Sequence, residues 1–220
     1  MLTPVCGGFM PPFGMEAFLE RLGVAPDEVA AVSYRGNGCP GPTRVELKNG
    51  DIIEKTYLEF WGPDSAMWHL PLRCKICPDG GGEAADIAAA DTWPGGAPRP
   101  EMLDADPGTN VVLARTKAGA ELIENAARAG YLSLDGTATP RDLDHWQPHQ
   151  VARRIAAEAR NEGMREAGQL ELRTIGLRTE TLARRLDADS QRRQIEGTKA
   201  RLAIGKHLDS FGRSQSDPEG

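Results

Sequence analysis

The sequence predicts an α+β fold, a mixed α/β domain with a helical extension, on three observations. Residues 43–47 and 52–57 are β-type runs on either side of Asn49-Gly50, the pair that best accepts the positive φ angles of a tight hairpin. Residues 110–134 read as strand, helix and strand in succession. From Asp142 onward the periodicity turns helical and charged. The 220 residues are 40% apolar, enough for a core, but only 5% aromatic; 25 Gly and 16 Pro imply many turns and ordered loops. The expected organisation is one compact domain over 1–150 and a helical extension over 151–220 whose last ten or so residues are disordered.

Taken in order, Pro11-Pro12 leads into a short helix over 13–22, closed by Gly23, with Ala17, Phe18 and Leu22 inward. Residues 29–35 form a strand and 36–42 a Gly/Pro loop. The hairpin follows, its second strand prolonged through Tyr57 to Trp61. A cysteine-bearing loop spans about 70–85, and a short buried strand spans 86–90. Residues 94–109 form a long loop. Then come strand 110–115, helix 117–129 ended by Gly130, and strand 131–134, with Val112, Leu122 and Ile123 buried. The C-terminal helices are expected to break near Gly163, Gly168 and Gly176.

Charge narrows the partners. Residues 1–150 hold 12 Lys/Arg against 21 Asp/Glu, whereas residues 151–220 hold 14 against 11. The acidic half argues against nucleic acid. The mildly basic tail, mixed in sign, reads as a solvated helical face. No run of about 18 apolar residues is present, so no membrane span is expected. The N-terminus lacks the pattern of a secretory signal, which makes the cytoplasm the expected location.

Four cysteines carry the chemistry. Cys74 and Cys77 form a CxxC within Arg73-Cys-Lys-Ile-Cys-Pro-Asp79; Cys6 precedes Gly-Gly and Cys39 precedes Pro-Gly. In a reducing compartment a CxxC points to a metal, a cluster or a redox pair before a structural disulfide. Four thiolates suffice for one iron–sulfur cluster or one tetrahedral zinc. Pro78 bends the chain away from the ligand turn, and Gly80, Gly81 and Gly82 let backbone amides approach sulfur or phosphate. His69 lies five residues before Cys74, as a candidate substitute ligand or a structural residue. Asp86 and Asp91 bracket an alanine run, placed either to cap turns or to bind a ribityl or ribose hydroxyl. Arg115-Thr116, where a strand ends and a helix begins, suits an anion or a plain N-cap. A thioredoxin-like dithiol is disfavoured because the CxxC falls in a loop rather than at the start of a helix.

The segments Cys6-Gly-Gly, Tyr34-Arg-Gly-Asn-Gly-Cys-Pro-Gly41, Arg73-Cys-Lys-Ile-Cys-Pro-Asp79, Ala85-Asp-Ile-Ala-Ala-Ala-Asp-Thr-Trp93 and Val111-Val-Leu-Ala-Arg-Thr-Lys-Ala-Gly119 occur in this order. Together they resemble the C-terminal domain of the coenzyme F-420 hydrogenase/dehydrogenase beta-subunit family, over about residues 3–150. The resemblance implies an oxidoreductase that passes electrons between a 4Fe-4S cluster and a flavin, generally FAD, serving a deazaflavin or another two-electron acceptor. Cys6, Cys74 and Cys77 would ligate the cluster, with Cys39 as the fourth candidate. Gly80, Gly81, Gly82, Glu83, Asp86, Asp91 and Arg115 would neighbour the flavin. The family's N-terminal domain has no counterpart here, so a truncated member is expected, completed by an upstream half or by other redox subunits. Two positions depart from the family pattern: Ala90-Asp91 stands where Gly-Asp is usual, and Cys39 stands where an aromatic residue is expected. The alternative is a non-catalytic module in which the cysteines hold a structural zinc.

Overall fold

The computed structural model describes residues 1–8, 11–61, 70–103 and 108–208. It is an α+β arrangement of two three-stranded sheets and a helical C-terminal part. The first sheet is a meander of β2 (Val29–Ser33), β3 (Thr43–Leu47) and β4 (Ile52–Lys55), antiparallel throughout. Its hairpin turns where the sequence placed it: Gly50 takes φ 93°, and the Asn49 side chain accepts from the Asp51 amide at 3.0 Å. Helix α1 (Pro12–Leu22) closes on Gly23 in the left-handed conformation. It lays Phe18 and Leu19 against Val24, Val45 and Phe60, which form the core on this sheet.

The expected extension of β4 through Trp61 is instead a helical turn, α2 (Tyr57–Trp61). The cause is a capping box absent from the strand reading. Thr56 Oγ1 accepts from the Glu59 amide at 3.2 Å, and Glu59 accepts from the Thr56 amide at 2.8 Å.

The second sheet runs β1-β5-β6 and unites distant parts of the chain. Strand β1 (Leu2–Pro4) lies parallel to β5 (Ile87–Asp91), with Leu2 opposite Ile87; β6 (Asn110–Ala114) is antiparallel to β5, with Ala90 opposite Val111. That register buries Val111 and leaves Val112 38% exposed, reversing the expectation for Val112. Helix α4 (Lys117–Arg128) starts from Thr116, whose hydroxyl accepts from the Gly119 amide at 3.1 Å. It seats Gly119 on the sheet, while Leu122 stays exposed and Ile123 is only partly covered. The helix needs its smallest residue at the contact: a Cβ on Gly119 would lie 2.2 Å from the Asp86 carbonyl oxygen.

The expected strand 131–134 does not form. A Schellman closure holds its first residue, with the Tyr131 amide on Ala126 O at 2.9 Å and the Gly130 amide on Ala127 O at 3.1 Å.

The cysteine segment is also more ordered than a loop. Cys74 sits on a short helix, α3 (Leu72–Ile76), and Cys77 caps its end in an extended conformation. The argument against a dithiol pair from loop placement therefore falls.

Four further helices follow: α5 (Pro140–Trp146), α6 (Pro148–Ile155), α7 (Ala157–Glu166) and α8 (Thr179–Ala183), before the long α9 (Ala188–Ala203). Gly163 does not break α7. It is buried where α7 meets α9, and a Cβ there would stand 2.6 Å from Ile195 O. Helix α7 does end before Gly168, at φ 72°. Leu72 and Ile76 of α3 share a core with Met164 of α7 and Leu202 of α9, so the C-terminal helices pack directly on the cysteine helix. No helix among the described residues is long and apolar enough to cross a membrane. His69 and the expected disordered C-terminus lie outside the described residues.

Candidate functional site

The segment after α3 folds on itself and is gripped from three sides. The Asp79 carboxylate accepts from the Glu83 amide at 3.1 Å, closing the loop. Gly80 presents its carbonyl to the Cys6 amide at 2.8 Å, which extends β1 alongside the loop. The Gly81 carbonyl accepts from Arg115 Nη2 at 2.8 Å. Gly82 is required by its backbone, at φ 69°, and a Cβ there would fall 2.6 Å from Thr3 Cγ2; a Cβ on Gly80 would fall 1.7 Å from Gln150 Oε1, so that side chain would have to move.

Arginines surround Glu83. Arg154 Nη1 donates to it at 2.7 Å and Arg115 Nη1 stands 3.5 Å away. Burial pushes the Glu83 carboxyl up, but the Arg154 hydrogen bond and the charges of Arg115, Arg154 and Arg178 outweigh it and hold the group below its ordinary value. Arg154 also reaches Pro78 O from Nε at 3.3 Å and Asp79 Oδ1 from Nη2 at 3.4 Å. Glu83, Arg115 and Arg154 wall a cavity of about 220 Å³, together with Val5, Leu113, Gln147, Gln150 and Arg185. Two buried polar atoms of this wall, Arg115 Nε and Gln150 Oε1, have no hydrogen-bond partner. An unpaired buried donor costs about 1–3 kcal/mol.

The sequence-nominated residues divide accordingly. Gly80, Gly81, Glu83 and Arg115 line this cavity; Gly82, Asp86 and Asp91 do not. Asp86 accepts from the Thr116 hydroxyl at 2.7 Å and from the Met1 ammonium, and these bonds hold its carboxyl low. Asp91 pairs with Arg35 through two bonds of 2.8 and 2.9 Å, and the Arg35 guanidinium lies over the Trp93 ring at 4.9 Å. Both aspartates thus tie strand ends to their neighbours.

The cysteines are less gathered. Cys6 is exposed beside the loop, its carbonyl held by Gln150 Nε2 at 2.5 Å. Cys77 Sγ makes only a long contact, 3.6 Å, to Asp79 O. Cys39 lines a different cavity, of about 490 Å³, with Asn37, Lys55, Tyr57 and Glu59, and no lining residue is common to the two. Among the described residues, no three His, Cys, Asp or Glu side chains are arranged to hold a metal ion.

Sequence reasoning missed Gln147 and Gln150, which belong to no motif, and Arg154, Arg178 and Arg185, because residues beyond 150 were read as a solvated face. The one signal was the change of charge sign at that point, from an acidic half to a basic one.

No curated protein matches the chain. A family model matches residues 1–139, a stretch that contains β1 through α4, the cysteines and the glycine loop. That match covers more than half of the chain and fits the mixed sheet-and-helix fold, and it carries the redox character of an oxidoreductase subunit. The chain belongs to the family described as the C terminus of the coenzyme F420 hydrogenase/dehydrogenase beta subunit.

Proposed function

We propose that this chain is an oxidoreductase subunit that holds a flavin-type cofactor, FAD in the simplest case, with one end of it in the cavity walled by Gly80, Gly81, Glu83 and Arg115. The observation that carries this reading is the arginine-lined cavity itself, with the buried, unpaired Nε of Arg115 on its wall. A cavity of about 220 Å³ falls below the range of roughly 300–1,000 Å³ usual for a whole small-molecule site. It suits one end of a dinucleotide and leaves the remainder to surfaces beyond it, in keeping with a subunit that works beside other redox subunits. A bound flavin supplies exchange between single electrons and hydride pairs, and so serves a deazaflavin or another two-electron acceptor. The chain supplies position and charge: Arg115 and Arg154 fix the loop against β6 and α6, and their guanidinium groups balance negative charge in the cavity.

An iron–sulfur cluster on Cys6, Cys74 and Cys77, with Cys39 as a further candidate, is the second part of the proposal. Its support is the family membership and the placement of Cys6 beside the loop that leaves Cys77. Cys39 is the weakest of the four, since it lines the other cavity. Anaerobic purification with counts of iron, sulfide, zinc and flavin tests both parts. About four irons and four sulfides per chain, lost in Cys74→Ser and Cys77→Ser, establish the cluster. One zinc and no flavin establish the structural module instead. Flavin without iron leaves the cavity reading standing and removes the cluster.

A further inference from the structure

The cavity is only half built by the family-matched segment. Beyond residue 139, Leu143, Gln147, Gln150, Val151, Arg154 and Arg185 supply much of its wall. Two of these are arginines, and Arg178, in the same region, adds its charge at Glu83. Arg178 is one of two non-glycine residues among those described with positive φ, at 56°, a conformation that costs a non-glycine residue roughly 1–2 kcal/mol. Four cations therefore act on the same small space: Arg115, Arg154, Arg178 and Arg185. The acidic groups against them are Glu83, Asp79 and Asp144. Arg185 has no ion-pair partner among the described residues, and Arg115 keeps its unpaired Nε.

We infer that the C-terminal segment makes this cavity a phosphate-binding site, and that the Glu83 carboxylate occupies it in the ligand-free chain. This deepens the function proposed above and rests on it for the identity of the ligand. The chemistry is that of several guanidinium forks converging on one anion: planar N–H pairs match phosphate oxygens, and a phosphate offers more acceptors than one carboxylate. A phosphate entering the cavity takes Arg154 and Arg115 from Glu83 and gains Arg185 and the free Nε of Arg115. The ligand class is a cofactor or acceptor bearing a phosphate or diphosphate, and its dephosphorylated form binds poorly.

The test uses the full-length protein with three probes: FMN, riboflavin and inorganic pyrophosphate. Flavin affinity is read by fluorescence quenching, and pyrophosphate binding by the thermal midpoint. The wild-type protein is expected to hold FMN at least about tenfold more tightly than riboflavin, with an affinity that falls as salt rises. Arg185→Ala, at an exposed position, is expected to weaken FMN by more than riboflavin and so to reduce that preference. Glu83→Gln is expected to tighten both FMN and pyrophosphate. Equal affinities for FMN and riboflavin, or a preference untouched by Arg185→Ala, overturn the phosphate site while leaving flavin binding in place. If neither flavin binds but pyrophosphate raises the midpoint of wild type and not of Arg185→Ala, the phosphate site stands and the flavin reading fails. No response to FMN or pyrophosphate overturns both.

Discussion

Arg160 of α7 donates from Nη1 to the carbonyl oxygen of Lys75, inside the CxxC turn, at 2.7 Å and across 85 residues of chain. Its Nε donates at 2.8 Å to Gln194 on α9, so one guanidinium joins the cysteine helix to both helices behind it. Burial, with Arg201 and Arg153 nearby, pushes its pKa down to about 10, which leaves it charged at neutral pH. Arg160→Ala removes two charge-assisted bonds and leaves a buried carbonyl bare, a loss of about 2–4 kcal/mol. Arg160→Lys recovers only part, because one ammonium does not span both acceptors. Urea unfolding of the three proteins checks this; equal midpoints would show the bridge to be idle.

Asp91 is a second test of position. It belongs to the Arg35 pair over Trp93 rather than to the cavity. Asp91→Asn is expected to lower stability by about 1–2 kcal/mol and to change flavin affinity less than twofold. A collapse of flavin binding with unchanged unfolding would place Asp91 in the site after all.

Gly119 and Gly136 form a matched pair. Gly119→Ala forces a methyl within 2.2 Å of the Asp86 carbonyl oxygen, so α4 must lift from the sheet at a cost of about 1–3 kcal/mol. Gly136→Ala meets nothing within 4 Å and stays within about 0.5 kcal/mol of wild type. Thermal unfolding distinguishes them, and a neutral Gly119→Ala would mean that α4 is not seated on β5.

His149 gives the pH dependence its sign. Burial, and then the charge of Arg153, hold its pKa below the ordinary 6.5. The unfolded chain therefore takes up a proton before the folded one as pH falls. Stability is full above about pH 6.5 and declines below it, until the folded imidazole also titrates. His149→Gln is expected to flatten that decline. The carboxylates held low, Glu83 among them, destabilise only at more acidic pH, so their loss falls in a separate window. Melting curves between about pH 5.5 and 7.5 decide it: an unchanged slope in the variant would assign the effect elsewhere.

Local chemistry was legible in the sequence where it decides structure unaided. Asn49-Gly50 set the hairpin, Gly23 closed α1, and Thr116 capped α4. Readings failed where a neighbour decided the outcome. The capping box of Thr56 and Glu59 turned strand to helix, and the Schellman closure at Gly130 took Tyr131 out of any sheet. Gly163 stayed helical because α9 lies against it. Leu122 stayed exposed because Gly119 made the contact. For the cavity, the motif pointed to Gly80, Gly81, Glu83 and Arg115. Arg154 and Arg185 carry no motif, and only the path of the chain brings them to the loop.

The span of these contacts also dictates an order of events during synthesis. Leu2–Pro4 cannot find its partner until the ribosome has released Ile87 and the residues after it, and the Cys6 carbonyl must wait for Gln150, 144 positions later. The β1-β5-β6 sheet and its cavity are thus among the last parts to close, whereas the β2–β4 meander, built from near neighbours, is free to form early. Until then the emerging chain carries an unpaired strand edge, and that interval is when it is most open to pairing with the wrong neighbour.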